Sequence, residues 1–316
     1  MTLALRPLGK SGISLTQIGF GASGFWGDTR FPEPMAAKVL QAVTDAGIRF
    51  IDTGRNYSGF HAEPRLGRLL QPIFRQVARD QWILSSKGGT LTPAGALSNL
   101  WTRERKDFSL TNIQAGIGQS IANLQCDYLD MFFLHGFTQA DATDELLRGL
   151  QCLRETGRIR AIGVNTHTES DMQWLCAHRD VFDVALIDYG PAARHREEII
   201  GQMHAAGLGV IAGTVLGQGH VLPPRPMRNK KDWWYLARAK LKPSARRLAE
   251  AARPVRDVLS TQSEMTPAQA AFAYVLSNPG ISSAVFGSAD VAHVLEIAQA
   301  SDKHLSAELT AAIRQS

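Results

Sequence analysis

Cysteine is scarce in this chain, with three in 316 residues, at positions 126, 152 and 176. An odd number at scattered spacing builds no disulfide framework and matches no zinc pattern, so the thiols are expected to serve as small buried hydrophobes. The opening residues, MTLALRPLGKSG, lack the long apolar core of a secretory signal. No run of residues reaches the apolar length needed to span a bilayer. A reduced, cytoplasmic protein with no membrane partner is the expectation. Charge of one sign is also lacking outside a single stretch. Residues 225–247 hold nine Lys and Arg against Asp232 alone, so this stretch carries +8 of a total of +5 and the remainder is −3. No nucleic-acid-binding motif accompanies that patch, and no nucleic-acid partner is expected. A Gly-rich dinucleotide turn is missing as well. GFGASGF (19–25) has three glycines, but the next helical pattern starts near residue 34, too far on for the phosphate-binding turn of a doubly wound sheet.

What the chain has is a regular alternation. An apolar fraction of 44% and a charged fraction of 20% suit a soluble globular protein with a large core. Residues 5–16 read as a hairpin turning at Lys10-Ser11-Gly12. Eight short apolar runs follow, at 17–23, 49–53, 81–89, 128–136, 159–166, 184–190, 209–215 and 282–288. Helical patterns lie between them, including 34–47, 63–70, 111–124 with Thr111 as N-cap, 143–156, 169–178, 196–206, 244–260 and 266–277, and helices at 290–300 and 306–315 close the chain. The apolar runs are continuous rather than alternating, as in parallel strands buried on both faces. The pattern predicts one α/β domain over 1–316, a (β/α)₈ TIM barrel with an N-terminal β-hairpin and a basic loop insertion, 216–247, after strand 7.

In such a barrel the chemistry sits at the carboxyl ends of the strands. Asp52 ends the second run and Tyr57 follows in its loop; Lys87 ends the third and His135 the fourth. An acid, a phenol, an amine and an imidazole thus converge from three consecutive strands. Taken singly, each has a bland explanation: a helix cap, loop packing, a solvated charge, a satisfied core histidine. Their equal depth on adjacent strands points to one site. The combination suits carbonyl reduction. A phenol near pKa 10 is a poor acid–base group at neutrality, and a neighbouring ammonium is expected to lower that value. The histidine could donate a hydrogen bond to a substrate carbonyl while Tyr57 gives up its proton.

These residues sit in stretches that together resemble the aldo-keto reductase family: RPLGKSGISLTQIGFGAS, FIDTGRNY with EPRLGRLL, ILSSKGG, DYLDMFFLHG, GRIRAIGVNT and AVFGSADVAHVLE. The resemblance spans nearly the whole chain. It implies that Tyr57, Asp52, Lys87 and His135 form a catalytic tetrad with Tyr57 as general acid/base. It also implies a nicotinamide cofactor, usually NADPH with NAD as the alternative, and an aldehyde or ketone substrate. Implied cofactor contacts are Gly21, Ala22, Ser23 and Asp52, then Asn165 and Thr166, Gly213 and Thr214, Leu216 and Gly217, and finally Gly287, Ser288, His293 and Glu296. Several depart from the family pattern. Asn165-Thr166 stands where the family has Ser-Asn, Leu186 where it has a carboxamide-binding Gln, and Gly213 where it has the ring that stacks on the nicotinamide. His293 aligns with an Arg that reaches the 2′-phosphate. Trp26 or a residue of the insertion is a candidate to fill the place of the missing ring. The rim loops, with Phe25, Trp26, Trp101, Trp233 and Trp234, suggest an aromatic-lined cleft. The basic insertion suggests an anionic group on the substrate or cofactor. A monomer or weak homo-oligomer is expected. Two alternatives stand beside the reductase: a redox-silent nucleotide-binding member of the fold acting as a sensor or subunit, and a barrel enzyme using Lys87 as a Schiff base.

Overall fold

The computed structural model describes residues 3–92, 105–223 and 243–316. Trp101, Trp233, Trp234 and most of the basic insertion lie outside the described residues. Strands β1 (Leu5–Pro7) and β2 (Ser14–Thr16) form an antiparallel hairpin, with Leu5 opposite Thr16. Eight parallel strands follow: β3 (Ile18–Gly21), β4 (Phe50–Asp52), β5 (Ile83–Gly88), β6 (Leu129–His135), β7 (Ile159–Asn165), β8 (Val184–Asp188), β9 (Gly209–Gly213) and β10 (Ser283–Phe286). They close in the order β10-β3-β4-β5-β6-β7-β8-β9, and the ring is sealed where the last strand pairs with the first, Ala284 beside Ile18. This is the (β/α)₈ barrel expected from the alternation, with its N-terminal hairpin in place.

The two-residue period of a strand divides its side chains between the barrel interior and the helical jacket. The interior cluster takes Phe50 from β4, Ile83 from β5, Met131 and Phe133 from β6, Ala161 from β7, Val184 and Leu186 from β8 and Ile211 from β9. Leu8, Ile13 and Leu15 of the hairpin join this same cluster, so the hairpin plugs the end of the barrel opposite the strand carboxyl ends. The intervening residues, such as Phe132 and Leu134, face the helices and belong to the larger outer core. The interior is filled by pairing bulk with its absence: a Cβ on Gly163 would lie 2.4 Å from the Phe133 ring, so the glycine on β7 makes space for the phenylalanine on β6.

The helices run close to the expected limits. Thr143 caps Asp144–Glu155 through the Leu146 N–H, Leu146, Leu150 and Leu153 face inward, and Gly157 ends the turn at φ +74°. Thr266 and Gln269 form a reciprocal capping box at Pro267–Ser277. The helix expected at 63–70 runs further, Ala62–Phe74. Two expectations fail. Ser109, not Thr111, caps Leu110–Leu124, its hydroxyl accepting from the Asn112 N–H, because the helix begins two residues earlier than a cap at Thr111 would set it. The cysteines are not core residues: Cys152 is exposed, and Cys126 and Cys176 are half-buried. Cys152 falls on the outer side of a helix whose inner side is already supplied by leucines. No helix among the described residues is long and apolar enough to cross a membrane.

Candidate active site

The inward row of each strand turns polar where it passes the apolar plug. Two residues beyond Phe50 comes Asp52; beyond Ile83 come Ser85 and Lys87; beyond Phe133 comes His135; beyond Ala161 and Gly163 comes Asn165. The same periodicity that builds the core therefore delivers the site.

Lys87 and Asp52 form a buried ion pair, Nζ to Oδ2 at 2.5 Å. Lys87 Nζ also donates to the Thr53 carbonyl at 2.8 Å, and the second Asp52 oxygen accepts from Ser85 Oγ at 2.6 Å. Burial alone would discharge the amine; the charges of Asp52 and Tyr57, with their hydrogen bonds, outweigh it and raise its pKa. Lys87 Nζ lies 5.0 Å from the centre of the Tyr57 ring, and that ring meets His135 edge-on, with centroids 5.7 Å apart. The structure thus brings all four tetrad residues together.

Two protonation states differ from simple expectation. The Tyr57 phenol is raised above its ordinary value: desolvation is the largest cause, Asp52 adds to it, and the opposing effect of Lys87 is too small to reverse it. The expected lowering by the ammonium is present in sign but loses to burial. His135 is pushed down to about 3 by burial first and then by the positive charges of Lys87, Lys106 and His167, so its imidazole is neutral at physiological pH. Its Nδ1 is buried without a partner among the described residues, which leaves a polar atom of the site for a ligand to satisfy.

The loop that carries Tyr57 is tightly determined. Thr53 and Arg55 N–H groups bond the Ser85 and Lys87 carbonyls. Gly54 lies under the Tyr57 ring, where a Cβ would come within 3.0 Å of it. Ser58 and Phe60 both hold positive φ, at 50° and 71°, a conformation maintained only under external constraint. Ser58 supplies part of that constraint by bridging the Gly27 N–H and the Gly24 carbonyl at 2.9 and 2.8 Å.

The cofactor positions are brought together in part. At the β3–β10 seam, Gly287 approaches the Gly21 carbonyl so closely that a Cβ would sit 2.9 Å from it, with Ser23 Oγ at 3.9 Å. Ala22 is buried on the same loop. Ser288 Oγ lies 3.2 Å from His293 Nδ1, and Asp290 caps the helix Val291–Ala298. Glu296 accepts from Thr266 Oγ1 at 2.6 Å. Across the mouth, Asn165 donates through Nδ2 to the Leu186 carbonyl at 3.1 Å. Thr166 turns outward to Asp171, 3.3 Å away, and is buried there rather than at the mouth. The turn after β9 runs Thr214, Leu216, Gly217, with Gly217 N–H closing on the Thr214 carbonyl at 2.7 Å. A Cβ on Gly213 would meet, among the described residues, the Ile187 carbonyl at 3.6 Å and a Leu186 methyl at 3.8 Å, both ordinary contacts. Leu186, standing where the carboxamide-binding Gln was expected, therefore borders the place of the missing ring. Trp26 does not fill it, being fully buried against Phe20 and Phe31. A glycine-walled seam on one side, an amide and an apolar shelf on the other, and an unsatisfied imidazole between them fit an extended nucleotide bearing a flat ring. A cleft of about 500 Å³ lined by Arg194, His195, Glu197 and Arg314 contains none of the tetrad.

Ser85 was missed in the sequence. Its signal was available, since it stands two residues before Lys87 on the same inward row.

Residues 17–316 match the family model described as Aldo/keto reductase family, and the chain belongs to that family. It is 29% identical over 304 residues to an L-galactose dehydrogenase from Arabidopsis thaliana, covering 93% of this chain and 86% of that protein. A D-threo-aldose 1-dehydrogenase from a Pseudomonas species is 27% identical over 242 residues, covering 69% and 71%. A probable voltage-gated potassium channel subunit beta from Oryza sativa is 24% identical over 312 residues, covering 94% and 90%. Among solved structures, the holo form of aldo-keto reductase AKR11C1 from Bacillus halodurans superposes with a TM-score of 0.75 at 22% identity, covering 99% and 96% of the two chains.

Proposed function

We propose that this protein transfers hydride between a nicotinamide nucleotide and the carbonyl of a small hydroxylated aldehyde, ketone or sugar, with Tyr57 as general acid/base. The observation that carries this reading is the buried Lys87–Asp52 pair set against the Tyr57 ring beside a neutral His135. When bound, the dihydronicotinamide would supply the hydride. A raised phenol keeps its proton until a substrate oxygen gains charge, which suits an acid in the reducing direction. The Lys87 ammonium, held charged by Asp52, stabilises the phenolate left behind. His135, being neutral, offers an N–H to the carbonyl oxygen without adding a full charge. The same pair opposes the Schiff-base reading, which needs a neutral amine. Similarity to two sugar dehydrogenases favours a hydroxylated substrate.

Asn165, Gly213, Gly21 and Gly287 would hold the nucleotide. The family resemblance points to NADPH. At the turn expected to meet its extra phosphate, however, the chain carries the Asp290 carboxylate and a histidine already engaged by Ser288. Both features lower the advantage of a phosphate, so we extend the reading to NADH.

The channel-subunit relative motivates a second reading, a redox-silent nucleotide binder. Tyr57→Phe separates the two. The reductase reading expects carbonyl turnover, lost by about 10²–10⁴-fold in the variant, with nucleotide affinity retained. A wild-type protein that binds nucleotide and turns over no carbonyl or sugar in either direction would leave only the second reading.

A further inference from the structure

The mouth of the barrel carries a second polar group that the proton transfer above does not use. Asp188 is the last residue of β8 and stands two positions beyond Leu186, so it continues that strand's inward row. Its Oδ2 lies 2.8 Å from His167 Nδ1, and its Oδ1 accepts from Thr214 Oγ1 at 2.6 Å. Arg196 fastens the assembly from below, donating to the backbone carbonyls of Asp188 at 2.6 Å and His167 at 2.8 Å. Thr214 reaches Asp188 while holding φ at +55°. A β-branched residue rarely adopts that conformation, and it persists only where the surroundings fix it. Three strand ends, after β7, β8 and β9, are thus tied to one carboxylate.

This arrangement fixes the orientation of the imidazole. Burial would raise the Asp188 carboxyl, but the hydrogen bonds from His167 and Thr214 and the charges of His167 and Arg196 prevail and keep it below the usual range. An ionised carboxylate only accepts, so His167 Nδ1 carries a hydrogen. Nε2 is left as the ring's outward polar atom. The side chain is 59% exposed, so the ring is open to a ligand from solvent. The residue stands beside the tetrad: His135 pairs in register with Asn165, two residues before His167, and His167 is among the groups that lower the His135 pKa.

We propose that His167, held by Asp188, Thr214 and Arg196, is a specificity-determining residue whose Nε2 forms a hydrogen bond with a substrate hydroxyl near the reacting carbonyl. The site then selects hydroxyaldehydes over their deoxy counterparts. A purely apolar or aromatic rim could not make that distinction, because a hydroxyl added to a substrate gains little unless a buried or oriented partner meets it. The inference rests on the carbonyl-oxidoreductase reading of the site.

The test measures kcat and KM for glyceraldehyde and for propanal, with NADPH and NADH, in the wild type, His167→Phe, His167→Asn and Asp188→Asn. The wild type should favour glyceraldehyde. His167→Phe should reduce the glyceraldehyde-to-propanal ratio of kcat/KM by roughly 3–10-fold, the range for one neutral hydrogen bond, chiefly through the KM for glyceraldehyde. His167→Asn, whose amide can donate or accept, should recover part of the ratio. Asp188→Asn should reduce it less, by freeing the ring to change tautomer. A ratio unchanged in His167→Phe, a parallel loss for both aldehydes, or a change only in nucleotide affinity would each overturn the inference while leaving the reductase reading intact. No turnover of either aldehyde, or of a wider set of sugars and ketones, by the wild type would overturn that reading and this inference with it.

Discussion

Tyr57 and Lys87 show how far a side chain's chemistry depends on its burial. The residue types at 52, 57, 87 and 135 were legible because each falls at or just past the end of an apolar run. The direction of the Tyr57 shift was not, since desolvation is a property of the packed site and no local sequence encodes it. The consequence is measurable. With its pKa above 10, Tyr57 remains a proton donor through neutrality, so carbonyl reduction should be insensitive to loss of that proton until strongly alkaline pH. Oxidation, which needs the phenolate, should keep rising with pH beyond neutrality. Initial rates in both directions from pH 6 to 10 check this; an oxidation rate that levels off near pH 7 would contradict it. Lys87 makes a second prediction. Lys87→Met strands the buried Asp52 carboxylate, and removing one partner of such a pair costs about 3–5 kcal/mol. Urea unfolding should register that loss, and Lys87→Met with Asp52→Asn should recover part of it. Asp188 and His167 went unread because neither follows an obvious motif, although Asp188 continues an inward row.

Strands and helices were read well where one periodicity ruled and less well at their ends. The continuous apolar runs at β6 and β7 marked buried parallel strands, and both were found within a residue of the expected limits. Caps depend on where the chain turns rather than on which side chains could serve, so the spacing points to Thr111 while Ser109 is the cap. The cofactor side was hardest, because Leu186 and Gly213 are informative only together. Alone, each is a departure from a pattern; in space, the leucine methyl lies 3.8 Å from where a Cβ on the glycine would stand. The helix Val291–Ala298 carries the prediction that belongs here. Asp290→Ser keeps a side-chain cap but removes a negative charge from the turn beside Ser288. One charge at such range is worth on the order of 1 kcal/mol. The KM for NADPH should therefore fall about 3–10-fold relative to that for NADH. Equal changes for the two nucleotides would show that the phosphate does not approach this turn.

The barrel as a whole was the most legible feature, since eight apolar runs separated by helical patterns admit few architectures. The fold also explains why the hairpin precedes the first strand. Leu8, Ile13 and Leu15 are fully or almost fully buried in the interior cluster, so the hairpin is part of the core rather than an appendage. Leu15→Ala should destabilise the protein by about 2–5 kcal/mol, as deletion of a large buried side chain does. Thermal unfolding should show it as a single shifted transition, because the hairpin and the barrel share one core. A separate low-temperature step would mean that the hairpin melts by itself.

The seam between β3 and β10 has one more implication. The ring closes only when residues 283–286 dock beside residues 18–21, and the two glycine loops that approach each other there, at 21 and 287, come from opposite ends of the chain. A ligand spanning those loops recognises a finished product. It has no complete site on a nascent chain, on a fragment or on a barrel opened at the seam. By mass action it stabilises only the sealed form. Nucleotide in the surrounding solution would thus act as an inspector of assembly, retaining chains whose two ends have met.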